Sequence, residues 1–205
     1  MTSQIESERK YDVDEWTELP DLSRVAKVES EEPVMLRATY FDTADGALAA
    51  ARMTLRRRTG GKDEGWHLKT PEGTGGRREH QAPLGDPSVV EPPAELLEPV
   101  RELLADRPLQ EIARLHTERR VITLVREGRP IAEIADDLVS ATDVHTGILR
   151  VWREWECELL EGAPEQDEER LGILDRIEGL LLSAGARPAS AVSKLARATG
   201  RTSLG

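Results

Sequence analysis

The sequence predicts an α+β fold, an eight-stranded antiparallel β-barrel with helices packed outside it. Three observations carry that reading. Period-2 alternation recurs in eight stretches separated by turn residues, helical spacing replaces it in a few segments, and the strand charges are sorted onto one parity. The predicted strands are 4–12, 34–42, 52–59, 65–70, 77–84, 116–126, 131–139 and 150–160. Helical spacing runs through "PAELLEPVRELLADRPLQEIARL" (93–115). Pro99 and the Arg107-Pro108 pair break it into two helices, because proline lacks the amide hydrogen and clashes with the preceding turn. A longer helix is predicted over 167–186, with a glycine-containing stop, and a short last one in "SAVSKLARA" after Pro188. The acidic tract "EGAPEQDEER" (161–170) reads as a solvated connection. The whole is read as one domain, 1–205, with charged strands within 4–160 and C-terminal helices within 167–198.

With 28 Lys+Arg against 39 Asp+Glu, the chain of 205 residues carries a net charge of -11. That field repels nucleic acid and anionic membrane surfaces, so neither is an expected partner, and any anionic ligand needs a local basic site. A single cysteine, Cys157, rules out an intramolecular disulfide framework and fits a reducing compartment. No apolar run approaches a membrane span, and "MTSQIESERK" lacks a signal-peptide apolar region, so the expected location is the cytoplasm.

Alternate residues of a strand face opposite ways, so parity sorts the charges. In "VWREWECEL", Glu154, Glu156 and Glu158 share one face, while Trp155, Cys157 and Leu159, with Arg153, share the other. Arg56 and Arg58 lie opposite Met53 and Leu55; His67 and Lys69 lie opposite Trp66 and Leu68. Arg77 shares a face with Glu79, Glu133 with Asp137, and Glu6 and Glu8 with Lys10. An open sheet with one wet face accounts for such parity as well. On patterning alone the open sheet is the commoner reading; whole strands that carry one sign, which a mixed solvent face avoids, and the removal of exposed edges weigh toward closure. A charged lumen then needs a charged occupant. Acids without companion histidines or cysteines suit a hard cation such as Mg²⁺ or Mn²⁺, and Arg/Lys clusters suit phosphate oxygens.

Glu6-x-Glu8-x-Lys10, "TYFDT" (39–43), "LRRR" (55–58), "HLK" (67–69), "RREHQAPL" (77–84), "ERRVITL" (118–124), "AEIADD" (132–137), "REWECEL" (153–159) and "SKLARA" (193–198) occur in that order. Together they resemble the CYTH superfamily, the triphosphate tunnel metalloenzymes, over almost the whole chain. The resemblance implies an eight-stranded antiparallel tunnel with helices outside, acting on a triphosphate or polyphosphate with a divalent metal, Mg²⁺ or Mn²⁺. It implies metal-holding roles for Glu6, Glu8, Glu133, Glu154 and Glu156, with Glu158 on the same face. It implies phosphate-cradling roles for Lys10, Arg56, Arg58, Lys69, Arg119 and Lys194, where Arg119 is chosen over Arg120 because it precedes the apolar "VITL" run. Tyr40 matches a tyrosine that, in thiamine triphosphatases, works with the lysine at the position of Lys69 to activate water; a barrel-end hydrogen bond is the structural alternative.

His67, His80, His116 and His145 have no ligand spacing, Cys157 reads as a core residue, and Asp42 and Asp136 read as structural acids. The expected activity is inorganic triphosphatase, a phosphoanhydride hydrolase. Thiamine triphosphatase and class IV adenylate cyclase stand behind it, because aromatic residues are few and Trp66, Trp152 and Trp155 are read as pointing away from the charged face. A non-catalytic polyphosphate-binding module is the alternative of another class. Similar domains often precede a CHAD-type helical domain, which would be a partner if the chain is a fragment.

Overall fold

The structure, a computed structural model, describes residues 2–6, 8–72, 76–86 and 90–200, and for 2–6 and 76 the backbone alone. Eleven strands form one antiparallel sheet: β1 (Thr2–Glu6), β2 (Glu8–Val13), β3 (Lys27–Ser30), β4 (Val34–Thr43), β5 (Thr54–Thr59), β6 (Gly65–Glu72), β7 (Gly76–Ala82), β8 (Leu109–Arg126), β9 (Arg129–Asp143), β10 (Leu149–Leu159) and β11 (Arg187–Pro188). The strand order is β1-β7-β6-β5-β4-β8-β9-β10-β2-β11, with β3 on the flank of β8. The expected first strand is two strands: β1 lies on β7 and β2 on β10. One N-terminal stretch thus holds opposite ends of the ladder, and the strongly curled sheet surrounds a lumen without a hydrogen-bonded closure among the described residues.

The outer faces are covered as the parity requires. Helix α4 (Asp167–Ser183) lays Ile173, Leu174, Ile177 and Leu181 on Tyr11, Leu124, Ile134, Trp155 and Cys157. Against the opposite wall, α1 (Ala47–Ala50), α2 (Ala94–Leu97), the 3₁₀ turn Glu98–Val100 and α3 (Arg101–Leu104) cover Phe41, Leu55, Trp66 and Leu68. Asp42 holds that corner together, since its carboxylate accepts from the amides of Thr43, Leu48 and Ala49 at 2.7, 2.8 and 3.0 Å. Asp136 is likewise structural, forked onto Arg153 at 2.8 Å through both oxygens.

A third cluster sits inside the curl. α5 (Lys194–Ala198), capped by Ser193 Oγ accepting from Ala196 N at 3.1 Å, packs Leu195 and Ala198 on Tyr40, Ala113, Leu115, Val139, Ala141 and Trp152. That apolar plug fills one end of the lumen.

Two further expectations are corrected. Residues 109–115 continue β8 instead of a helix, because they ladder with β4 on one side and, from Ala113, with β9 on the other. Trp152 does not point away from the charged face. It shares the parity of Glu154 and donates its indole hydrogen to that carboxylate inside the plugged end. Among the described residues no helix is long and apolar enough to cross a membrane.

Candidate functional site

Between the plug and the opposite mouth lies a cavity of about 170 Å³. Glu8 and Lys10 from β2, Tyr40 from β4, Arg56 and Arg58 from β5, Lys69 from β6, Glu79 from β7, Arg119 from β8, Glu156 and Glu158 from β10, and Lys194 from α5 all line it. Period-2 geometry explains the convergence, since each strand of a curled sheet contributes every second side chain to the inside. Arg119 lines the cavity whereas Arg120 is exposed.

The acids and bases are already interlocked at the plugged end. Asp137, Glu154 and Glu156 bring one oxygen each to within 4.8 Å of one another. Lys194 Nζ lies 2.5 Å from Glu154, 2.8 Å from Glu156 and 2.9 Å from Asp137. Arg119 forks onto Asp137 at 2.8 and 2.6 Å and reaches Glu156 at 2.9 Å. Lys10 pairs with Glu156 and sits 3.2 Å from Glu8. Burial opposes the charge on Lys10 and Lys194, but Glu156 with Glu8 at one, and Glu156 with Asp137 and Glu154 at the other, outweigh it and raise both ammonium pKa values. Against the same burial, Lys10, Lys194 and Arg119 hold Glu156 well below the usual carboxylate range, and Lys194 with Arg119 lowers Asp137.

The other wall has an excess of cations. Burial, then repulsion from Arg56 and Arg119, pushes the Arg58 guanidinium down to about 9, although Asp63 in the β5–β6 turn contacts it. Arg56 lies 3.5 Å from the Tyr40 hydroxyl, to which it donates, and 3.7 Å from Glu79. Burial raises the Tyr40 phenol, and Arg56, Lys194 and Lys69 more than offset it, leaving the phenol below its ordinary value.

A second group of acids is set by register. Glu8 on β2 stands directly opposite Glu158 on β10, and Glu158 directly opposite Glu133 on β9. Glu133 opens onto a larger hollow of about 660 Å³ at the far mouth, shared with Glu31, Lys62, Glu158, Arg170, Leu36 and Leu159. Burial raises the Glu133 carboxyl above its ordinary range. Glu6 pairs through its backbone with Arg77, and its side chain lies outside the described residues. Glu154 is engaged by Trp152 and Lys194.

Asp137, Glu79 and His67 belong to this interior, on the charged faces where parity puts them with Glu133, Arg77 and Lys69, although neither parity nor the resemblance gives them a metal- or phosphate-binding role.

A curled antiparallel sheet whose lumen is plugged at one end and lined by both bases and acids defines a tunnel protein. The chain belongs to the CYTH domain family, whose domain matches residues 4–186. That family includes triphosphatases and class IV adenylate cyclases, and its members depend on metal. Rv2226, an uncharacterized protein of Mycobacterium tuberculosis H37Rv, is 42% identical over 215 residues, covering 98% of this chain and 41% of that protein. MT2285 from strain CDC 1551 matches to the same extent, so the chain spans less than half the length of these relatives. Among solved structures, a candidate adenylate cyclase from Bacillus halodurans shares the fold with a TM-score of 0.64 at 21% identity, covering 96% of this chain and 98% of that one. A candidate adenylyl cyclase from Hippeastrum, described as revealing a dominant triphosphatase activity, has a TM-score of 0.51 at 21% identity, with 97% of each chain covered.

Proposed function

We propose that this domain is a metal-dependent hydrolase that removes the terminal phosphoryl group of inorganic triphosphate. The observation that supports it best is the lining of the 170 Å³ cavity: Lys10, Arg56, Arg58, Lys69, Arg119 and Lys194 converge there, and among the described residues Tyr40 is its one aromatic side chain. A space that small and that cationic suits a compact polyanion and offers no platform for a nucleobase.

Glu8, Glu158 and Glu133 stand side by side in register, a row of like charges beside the tighter acid group Asp137–Glu154–Glu156. Like charges placed directly opposite on adjacent strands destabilise a sheet, and a hard cation relieves them. Glu8, Glu133, Glu154, Glu156 and Glu158 would hold Mg²⁺ or Mn²⁺, with Glu154 and Glu156 giving up part of their pairing to Lys194. The bound ion would supply charge neutralisation on the phosphate oxygens. The chain's own groups do the rest. Arg56 and Arg58 relieve their mutual repulsion on phosphate oxygens, and Arg119, Lys10 and Lys194 exchange part of their carboxylate pairing for them. Tyr40, its phenol made more acidic by Arg56, Lys194 and Lys69, orients water with Lys69 at the terminal phosphorus.

The larger hollow beside Leu36 and Leu159 leaves room for an organic group, so thiamine triphosphate and ATP are the proper comparison substrates. Phosphate release should be measured from inorganic triphosphate, thiamine triphosphate and ATP with Mg²⁺, Mn²⁺ or chelator, following cyclic AMP in the ATP samples. Metal-dependent release from inorganic triphosphate above the others is expected. Glu8→Gln/Glu158→Gln should lower that turnover roughly a hundredfold or more while chelated triphosphate still binds as well or better. Tight polyphosphate binding with no turnover of any substrate would instead identify a docking module.

A further inference from the structure

His67 on β6 and Glu79 on β7 are 1% and 3% exposed, within the basic wall, and the hydrolysis described above assigns them nothing. His67 Nδ1 lies 2.8 Å from Glu79 Oε1, and Nε2 lies 2.9 Å from the Asp63 carbonyl oxygen in the β5–β6 turn. A carbonyl only accepts, so Nε2 carries a hydrogen. A neutral ring then presents a bare lone pair at Nδ1, and an ionised carboxylate is also acceptor-only, so two lone pairs would meet at 2.8 Å. One more proton therefore lies between Nδ1 and Oε1. Imidazolium with carboxylate, or imidazole with carboxylic acid, sums to zero either way.

The surroundings say why that proton matters. Arg56 and Arg58 on β5 face the ring, Lys69 stands opposite Glu79 across the β6–β7 ladder, and Tyr40 and Arg119 line the same cavity from β4 and β8. Burial, with Arg56 and Arg58, outweighs the bond to Glu79 and holds the imidazolium down to about 4, so the ring alone keeps the second proton weakly and the pair holds it by sharing. Without it, a bare carboxylate would sit 3.7 Å from the Arg56 guanidinium and oppose an incoming phosphate.

We propose that His67 is a positioning residue: it keeps one proton on the His67–Glu79 pair, so that the pair faces the cradle of Arg56 and Lys69 without net negative charge. This rests on the anion-cradle reading of the cavity only for its functional consequence, and two measurements separate the parts.

On the unsubstituted protein, nitrogen-15 NMR of the imidazole rings tests the proton directly; with 4 histidines in the chain, the His67 signals are assignable by substituting the other rings. Between about pH 5 and 8, His67 should keep a hydrogen on Nε2, show a shared one at Nδ1, and not titrate. A bare Nε2 overturns the proposal whatever the cavity binds. Triphosphate binding in chelator is then read by calorimetry in His67→Gln, where no ring holds the proton. The affinity should fall about tenfold relative to the unsubstituted protein at high pH and recover as acid protonates Glu79. In His67→Gln/Glu79→Gln that pH-dependent part of the loss should vanish. A loss equal at both pH values, or a double variant that keeps the slope, overturns the proposal. Failure of the unsubstituted protein to bind triphosphate defeats the cradle reading instead, and the NMR result still decides the pair.

Discussion

Asp137 is fully buried, yet it answers two cations at once, Arg119 through a fork and Lys194 at 2.9 Å. Such a group is worth less for the attraction it provides than for the damage its loss would do, because its partners would be left buried and short of a counter-charge. Asp137→Asn should therefore cost about 3–5 kcal/mol in stability, measured by denaturant unfolding at neutral pH. The same cluster sets the acid limit of the fold. Asp137 and Glu156 are both depressed below their ordinary values, so the unfolded chain binds protons more readily than the folded one. Their stabilisation is complete above the unfolded carboxylate range near pH ~4 and is lost as pH falls through the lower folded values. Unfolding midpoints followed on acidification should drop steeply below that range in the unsubstituted protein and less steeply in Asp137→Asn.

Among the elements, β10 shows how one strand serves both layers. Trp155, Cys157 and Leu159 enter the core under α4, where burial pushes the Cys157 thiol up to about 12, while Glu154, Glu156 and Glu158 face the lumen. The two faces should separate experimentally. Ile177→Ala on α4, at a position with no exposure, should cost about 2–5 kcal/mol by cavity formation yet leave KM for triphosphate unchanged well below the melting temperature. Much of this was legible in the sequence, because period 2 is local: it marks the strands and the sorting of charge, while the resemblance to the family gathers Lys10, Arg56, Arg58, Lys69 and Arg119 into one site. Residues 109–115 were misread because Leu109, Ile112 and Leu115 are spaced by threes, and only pairing with β4 and β9 decides for the strand. Trp152 was a miscount of parity. What no single strand carries is register: that Glu158 falls between Glu8 and Glu133, or that a turn carbonyl at Asp63 meets the His67 ring, depends on offsets between strands.

On the scale of the whole molecule, the charge is lopsided within as well as without. A net charge of -11 surrounds a cavity wall where Arg56, Arg58 and Arg119 repel one another. An anion that settles there stabilises the fold by mass action. At inorganic triphosphate about a hundredfold above its dissociation constant, stability should rise by about 2.7 kcal/mol. For a protein of this size that is roughly 5–10 °C in melting temperature. Differential scanning fluorimetry in chelator checks this, with orthophosphate expected to give a smaller shift and added salt expected to weaken both.

The split N-terminal stretch makes the cavity a late product of folding. β2 precedes almost all of the other strands in the chain, yet its neighbour β10 is not made until most of the domain has been synthesised. Such long-range pairing is slow in any chain, because loop-closure entropy is lost before the contact is gained. Until Glu8 reaches Glu158 and Lys10 reaches Glu156, the nascent sheet has an open seam where its acids should be. A half-finished molecule thus has most of the strands and the cations of β5, β6 and β8, while the acid wall of β2 and β10 is complete only when the seam shuts.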